Sequence, residues 1–321
     1  MLPYNVEFDG RSVCARDEER MEQLGGKVAV VTGSASGLGR GMAERFAQEG
    51  MTVVLADNRL ADAEVVAKEI ERTGGRAVAI EVDVTKRDSV TALADRVDSE
   101  LGGASVLVNN AGVISFSPVL QPEELGWRWI VDVNLFGVVY GLQTFLPRML
   151  DSGRDAHVVN VASLAGVIGG GGTIANRIQL GTGQPELGAM YGYMATKHAI
   201  VAISETLAGD LSGTRVGVSV LLPSHHENTG IWENSARYRP ETFGGPMTPE
   251  EIRATSGNRD QRSAGSRVAF QREPSECAAR VVRAIREGHF YIFTHPETRP
   301  AIEHRFSQIN TAYDDAAAFS G

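Results

Sequence analysis

A doubly wound parallel sheet of about seven strands, with helices on both faces, is the α/β architecture that this sequence predicts. Two observations predict it. Short valine-rich runs recur along the chain with amphipathic, helix-length stretches between them, and the first run opens directly into a glycine cluster, TGSASGLG at 32–39. Strands that are covered on both faces read as continuous apolar runs, which suits a parallel sheet sandwiched between helices.

Taken in order, residues 1–24 are charged, with RDEERMEQ as a short helix, and are expected as an arm outside the core. Strands are predicted at 27–32, 52–56, 76–82, 105–109, 157–162, 216–222 and 289–293. The helix after the first strand sets Leu38, Met42, Ala43 and Phe46 at core spacing and stops at Gly50. A helix over 86–100 follows the third strand. The segment 127–146 carries Ile130, Val133, Gly137, Val138, Gly141, Leu142 and Phe145 along one stripe, with Asn134 inside it. A satisfied buried amide or a local bend is the ordinary reason for such an asparagine. Helices over 193–212 and 275–287 complete the set. The domain organisation read from this is an arm at 1–24, one α/β domain over 25–295 with an inserted flap at 166–190 and a polar loop at 223–274, and a tail at 296–321.

Composition narrows the function classes. A net charge of −9 without a basic run argues against nucleic-acid binding, which depends on phosphate attraction. Only Cys14 and Cys277 are present, in no metal-type spacing, and a reduced, cytoplasmic protein is expected. His225-His226 has no convergent carboxylate or cysteine cluster beside it in the sequence, so no metal is expected. The apolar segments are interrupted by Gly, Asn and charges, and none is expected to span a membrane. The 36 glycines concentrate after strands and near 166–172, where they suggest backbone approaching a ligand.

At the glycine cluster, Gly33 makes the turn, while Gly37 and Gly39 allow backbone to approach a pyrophosphate at the start of the helix. Ser36 and Leu38 contribute from the same turn. The spacing is Gly-x-x-x-Gly-x-Gly rather than Gly-x-Gly-x-x-Gly. Asp57, after the second strand, suits two ribose hydroxyls and repels a 2′-phosphate, favouring NAD over NADP, although Arg59 nearby is suited to pairing with that phosphate. Asp83 and Val84 follow the third strand beside the expected adenine position, with a helix N-cap as the alternative for Asp83. In YGYMATK, Tyr193 and Lys197 lie one helical turn apart on one face. A tyrosine with a pKa of about 10 exchanges protons at neutral pH only if its phenolate is stabilised, and the lysine is placed to do so.

TGSASGLG, Asp83, NNAG at 109–112, Asn134, Ser163 and Tyr193-x-x-x-Lys197 stand in the order and on the elements typical of short-chain dehydrogenases/reductases, and over residues 25–293 the chain resembles that family. The resemblance implies a Rossmann-type fold and hydride transfer between NAD and a secondary alcohol or ketone. It assigns Tyr193 as the acid/base and Ser163 to the substrate oxygen. Lys197 holds the nicotinamide ribose and lowers the tyrosine pKa, and Asn134 positions a water leading from Lys197 to solvent. Asn110, Ala111 and Gly112 support the cofactor cradle, and Pro223 with either Asn228 or Thr229 lies at the nicotinamide. The chain departs from the family pattern in the long stretch between Ser163 and Tyr193 and in Pro223-Ser224-His225-His226-Glu227-Asn228-Thr229, where Pro-Gly and an earlier threonine are usual.

SARYRPETFGG and HFYIFTHPETRPAIEHRF are similar to a subgroup that includes benzylic-alcohol dehydrogenases of lignin-derived aryl ethers. That similarity implies a bulky or aromatic alcohol. Trp232, Tyr238 and Phe243 in the polar loop either meet such a substrate or anchor the loop to the protein. The family likeness further implies a homodimer or homotetramer built on 127–146, 193–212 and the final strand, with Trp127 and Trp129 as interface residues or packed ends. Two rival readings stand beside this one: a cofactor-binding regulator or scaffold that does no chemistry, and a sugar-nucleotide epimerase or dehydratase, which the glycine spacing disfavours.

Overall fold

The structure is a computed structural model, and it describes residues 21–115, 124–168, 177–178, 187–188, 190–224, 226, 229–248, 251 and 272–319. The strands are β1 (Val28–Thr32), β2 (Thr52–Asp57), β3 (Arg76–Glu81), β4 (Val106–Asn109), β5 (Ala156–Val161), β6 (Arg177–Ile178), β7 (Leu187–Gly188), β8 (Val216–Leu222) and β9 (Tyr291–Phe293). The helices are α1 (Gly37–Gln48), α2 (Leu60–Arg72), α3 (Arg87–Leu101), α4 (Glu124–Val131), α5 (Gly137–Asp151), α6 (Tyr191–Asp210), α7 (Ile231–Arg237), α8 (Pro274–Glu287) and α9 (Arg299–Ala318).

The main sheet has 7 strands in the order β3-β2-β1-β4-β5-β8-β9, and every pairing is parallel. Strand order reverses between β1 and β4, which opens a crevice at their carboxyl ends. Alternation along each strand feeds two cores. Val28, Val30, Val54 and Ala56 face α3, α5 and α6, whereas Ala29, Val31, Val53 and Leu55 face α1, α2 and α8. The expected doubly wound sheet is therefore present, with each of its seven predicted strands.

Three features differ from expectation. The end of the N-terminal arm belongs to the core: Met21 and Leu24 are buried against α1 and α8, and the Met21 N–H donates to Ile285 O at 3.2 Å. Its charged neighbours concealed two apolar anchors. Residues 299–318 of the tail form a helix with no buried residue, held near its start by Arg305 Nη1 donating to Val167 O at 2.9 Å. Lastly, α4, a π-helical turn at Asp132–Phe136 and α5 run on as one helix of 28 residues, which is long and apolar enough to cross a membrane. In this fold that apolar content covers the sheet: Val138, Leu142, Phe145 and Met149 lie in the core beneath α3. Most of the predicted flap at 166–190 lies outside the described residues, as do RDEER, Cys14, His225 and Asn228; its described part includes the antiparallel pair β6–β7.

Candidate active site

At the crevice, β1 runs into a turn at Gly33 (φ 65°), where an added Cβ would stand 2.7 Å from Ala111 Cα. Gly37 is also left-handed (φ 56°), and a Cβ on Gly39 would collide with the Gly33 carbonyl. Asn110 braces this turn, its Nδ2 donating to Thr32 O at 2.9 Å and Gly33 O at 3.0 Å. Thr32 Oγ1 in return accepts the N–H groups of Asn110 and Ala111, each at 3.0 Å. Ser36 stands at the N-cap of α1 with extended backbone, yet its side chain does not cap the helix, and the first turn carries no acidic residue. The first N–H groups of α1 are thus left facing the crevice with the positive end of the helix dipole. Glycine-shaped clearance together with an uncapped helix start fits the pyrophosphate of a dinucleotide.

Asp57 closes one end of the cradle. Its carboxylate is buried, accepting from Ala35 N at 2.9 Å and Arg59 N at 3.0 Å, so it holds the glycine turn. Arg59 bends over it and donates from Nη2 to Ser36 Oγ at 3.0 Å. Asp83 makes the turn into α3, accepting from Thr85 N at 3.0 Å and Thr85 Oγ1 at 2.6 Å and pairing with Lys86 at 3.0 Å. Val84 is buried against Gly137 at the start of α5, and the Leu38 side chain turns into the core, leaving its backbone at the cradle. Thr229 lies with its backbone on Gly37: a Cβ on that glycine would be 2.8 Å from Thr229 O.

The chemical end lies at the carboxyl edge of β5. Ser163 follows that strand and caps a short 3₁₀ turn, its Oγ accepting from Ala165 N at 3.1 Å, and it hydrogen-bonds the Tyr193 hydroxyl. Leu164 N donates to Pro223 O at 2.9 Å, tying the β5 and β8 exits together. On α6, the buried Lys197 donates from Nζ to Val161 O at 2.8 Å and sits 5.6 Å from the centre of the Tyr193 ring. Asn134 is fully buried in the π-helical turn, where its Oδ1 accepts from Val113 N at 2.8 Å and its Nδ2 donates to Val113 O at 3.0 Å and Thr196 Oγ1 at 3.4 Å. The satisfied amide and the bend occur together, as π-helical turns at functional sites often do. Gly112 separates Asn134 from Lys197: a Cβ there would lie 3.4 Å from Asn134 Oδ1 and 3.7 Å from Lys197 Nζ.

Burial dominates the electrostatics of the pair. Burial pushes the Lys197 amine down to about 7. Burial likewise raises the Tyr193 hydroxyl above the ordinary tyrosine value, outweighing the Ser163 hydrogen bond that acts the other way. Both groups are withdrawn from water without a fixed countercharge, and each is driven toward its neutral form.

The short chain dehydrogenase family profile matches residues 27–239. The chain belongs to the short-chain dehydrogenases. It is 33% identical over 293 residues to the C alpha-dehydrogenase of Sphingobium sp. strain SYK-6, covering 90% of this chain and 87% of that one. It is 32% identical over 292 residues to 1-deoxy-11-beta-hydroxypentalenate dehydrogenase of Streptomyces exfoliatus, covering 88% of each. Among solved structures, a short-chain dehydrogenase/reductase from Burkholderia phymatum in complex with NAD superposes with a TM-score of 0.76 at 32% identity, covering 91% of this chain and 97% of that one.

Sequence reasoning missed several groups in this short-chain dehydrogenase. Thr32 lay inside the glycine motif but gave no sign that it receives two backbone donors from the β4 exit. Thr196 was hidden between Tyr193 and Lys197, where it donates to Tyr193 O at 2.9 Å and accepts from Asn134. Of the loop aromatics, Tyr238 stacks under the Arg59 guanidinium at 4.9 Å and Phe243 packs against the core, so both anchor the loop. Trp129 is a packed end, buried with Arg239 above its ring at 5.9 Å. His226 lies edge-on to His295 with ring centres 5.1 Å apart, and no group of metal-ligating side chains is present among the described residues.

Proposed function

We propose that this short-chain dehydrogenase interconverts a secondary alcohol and a ketone with NAD, and that the substrate carries a bulky or aromatic substituent. The observation that carries the reading is the Tyr193 hydroxyl, bonded to Ser163 and flanked by Lys197, beside an uncapped, glycine-lined helix start. Nicotinamide, when bound, supplies the hydride acceptor or donor and, in its oxidised form, a positive charge. Tyr193, as the phenolate left when its own proton passes on toward solvent, takes the carbinol proton in oxidation, and as the phenol gives it back in reduction. Ser163 holds the substrate oxygen against that hydroxyl, so that the proton moves along a preformed hydrogen bond. Lys197 and Asn134 frame the route by which the proton reaches solvent. Gly33, Ser36, Gly37, Leu38, Gly39, Asp57, Asp83, Val84, Asn110, Ala111, Gly112, Pro223 and Thr229 make the cofactor site.

NAD is favoured over NADP because Asp57 is a buried carboxylate at the ribose end and Arg59 is already paired with Asp57, Asp62 and Ser36. Substrate bulk is supported by the likeness to benzylic-alcohol dehydrogenases and by the Streptomyces relative, which is named for a hydroxypentalenate. The same reading includes a homodimer or homotetramer through the exposed side of the helix 124–151, where Leu125 and Phe136 stand in solvent and Phe136 meets Tyr140.

A panel of secondary alcohols, aryl and small aliphatic, assayed with NAD and with NADP by absorbance of the reduced cofactor, tests the proposal. Higher kcat/KM with NAD and with aryl alcohols is expected. Equal rates across the panel would remove the substrate class, and a protein that binds NADH but turns over nothing would favour the regulator reading.

A further inference from the structure

Helix α9 carries four large apolar side chains, Ile302, Phe306, Ile309 and Tyr313, spaced by four, three and four residues. That is the a/d spacing of a two-heptad seam, which Ala316 continues. The helix has no buried residue, and Phe306 is 51%, Ile309 39% and Tyr313 72% exposed. It is tied to the body at its foot, where Arg305 donates to Val167 O at 2.9 Å, one residue beyond the short turn that Ser163 caps. From Phe306 to Phe319 every residue is exposed. A helical segment of this length without packing is marginal in water, so the seam calls for a cover.

The helix's own charges indicate what fits. Its first two turns hold Arg299 and Arg305 against Glu303, and the charged residues of its second half are Asp314 and Asp315. Two copies running in the same direction would bring the acidic ends together and align their dipoles. Running in opposite directions, each basic start meets an acidic end and the dipoles oppose. The seam favours the same direction: reversed, Ile302 meets a second Tyr313 and Phe306 a second Ile309, so that each of these layers sets an a residue against a d residue and a branched aliphatic side chain against an aromatic ring. An anionic bilayer is a poorer cover, because the polar face is not basic.

We propose that α9 is a docking surface for a second copy of this chain, the two helices packing antiparallel along Ile302, Phe306, Ile309 and Tyr313. The partner's Tyr313 then lies over Ile302, one turn from Arg305, which sets the seam beside the substrate-side rim at Val167. This contact is separate from the exposed side of the helix 124–151 and from the dehydrogenase reading, and depends on neither.

Disulfide trapping tests both the occupant and its direction in the full-length protein, with Cys14→Ser in every variant and Cys277 left buried. The double variant Ile302→Cys/Tyr313→Cys should cross-link into a two-chain species on mild oxidation with copper phenanthroline. Within one helix these positions lie about 16 Å apart and cannot bridge. Neither single variant should cross-link, because antiparallel packing holds like positions apart. Adding Phe306→Glu to the double variant should cut the cross-linked yield at least about tenfold and leave NADH binding unchanged. A double variant that stays as single chains, or a single variant that cross-links as readily as the double, overturns the antiparallel pair. Co-sedimentation of the wild type with phosphatidylglycerol vesicles, with no cross-link in the double variant, would give the face to a bilayer instead. A 34.4 kDa species whose amides over 306–318 resist hydrogen exchange at every protein concentration would give it to another part of the same chain. Each of these outcomes overturns the pairing and leaves the NAD-linked alcohol reading standing.

Discussion

Lys197 carries a strongly displaced proton equilibrium. Its amine, ordinarily at 10.5, is pushed down to about 7 by burial, with Val161 O as its hydrogen-bond acceptor. Because the folded value lies below the unfolded one, the unfolded chain binds more protons between these limits, and stability rises with pH across that window. Urea midpoints of the cofactor-free protein at pH 7 and pH 9 should therefore increase with pH, and Lys197→Met should flatten the increase. The spacing of Tyr193 and Lys197, and the presence of Ser163 and Asn134, were legible in the sequence because each sits at a fixed distance along one element or at a strand end. The proton affinities were not. They are set by how completely α6, β5 and the β8 exit surround the groups, which no local pattern encodes. The same holds for the buried chain in which Asn109 Nδ2 donates to Asn160 Oδ1 at 2.9 Å and Asn160 Nδ2 to Ser204 Oγ at 3.1 Å, since its members lie far apart along the chain.

Among elements, the helix 124–151 does most to shape the site. Its π-helical turn directs Asn134 at Val113, and further along it Gly141 passes directly over Asn109, where an added Cβ would collide with Asn109 Oδ1. Gly141→Ala must push α5 from the sheet or displace Asn109, and overpacking of this kind costs about 1–3 kcal/mol, readable as a lower urea midpoint. An unchanged midpoint would show that the helix and sheet are less rigidly packed than this contact implies. The apolar stripe of this helix was legible from its 3.6-residue period. The close approach was legible only as a glycine without a stated partner. At the arm, charge masked the two buried residues Met21 and Leu24, because the pattern shows which residues can be buried and not which surface lies next to them. The loop aromatics illustrate the same limit: Tyr238 and Phe243 were visible as large side chains, and only the fold shows that one meets Arg59 and the other the core.

For the whole molecule, acid stability follows from two neutral histidines. Burial holds His157 down at about 3 and, as the largest effect, His226 down at about 4. His157 shares a hydrogen bond with Ser219 Oγ at 2.8 Å, Nε2 facing the hydroxyl. Below the ordinary histidine value of 6.5 the unfolded chain takes up protons that the folded chain refuses, so stability falls from pH 6.5 toward 3 through His157 and toward 4 through His226, by up to about 1.4 kcal/mol per pH unit for the fully buried His157 and less for His226. His157→Gln should make that decline shallower in denaturation measured at pH 6.5 and pH 4.5. A parallel decline in both proteins would remove His157 from the account. Light scattering should give a mass of two or four chains at neutral pH, and Phe136→Glu should lower it; a wild-type mass of 34.4 kDa would contradict the proposed assembly. Sheet class and strand count were legible at this scale because both faces of a parallel sheet must be apolar. The C-terminal helix was not, because its short apolar stripe covers no part of the sheet.

Central to the account is that the Tyr193 hydroxyl moves the proton while the rest of the site holds the cofactor. Tyr193→Phe removes that oxygen and keeps the ring beside Lys197. Measured with an alcohol that the wild type oxidises, the variant is predicted to lose at least about 100-fold in kcat while binding NADH as the wild type does. Turnover within a few-fold of wild type, with NADH still bound, would contradict it.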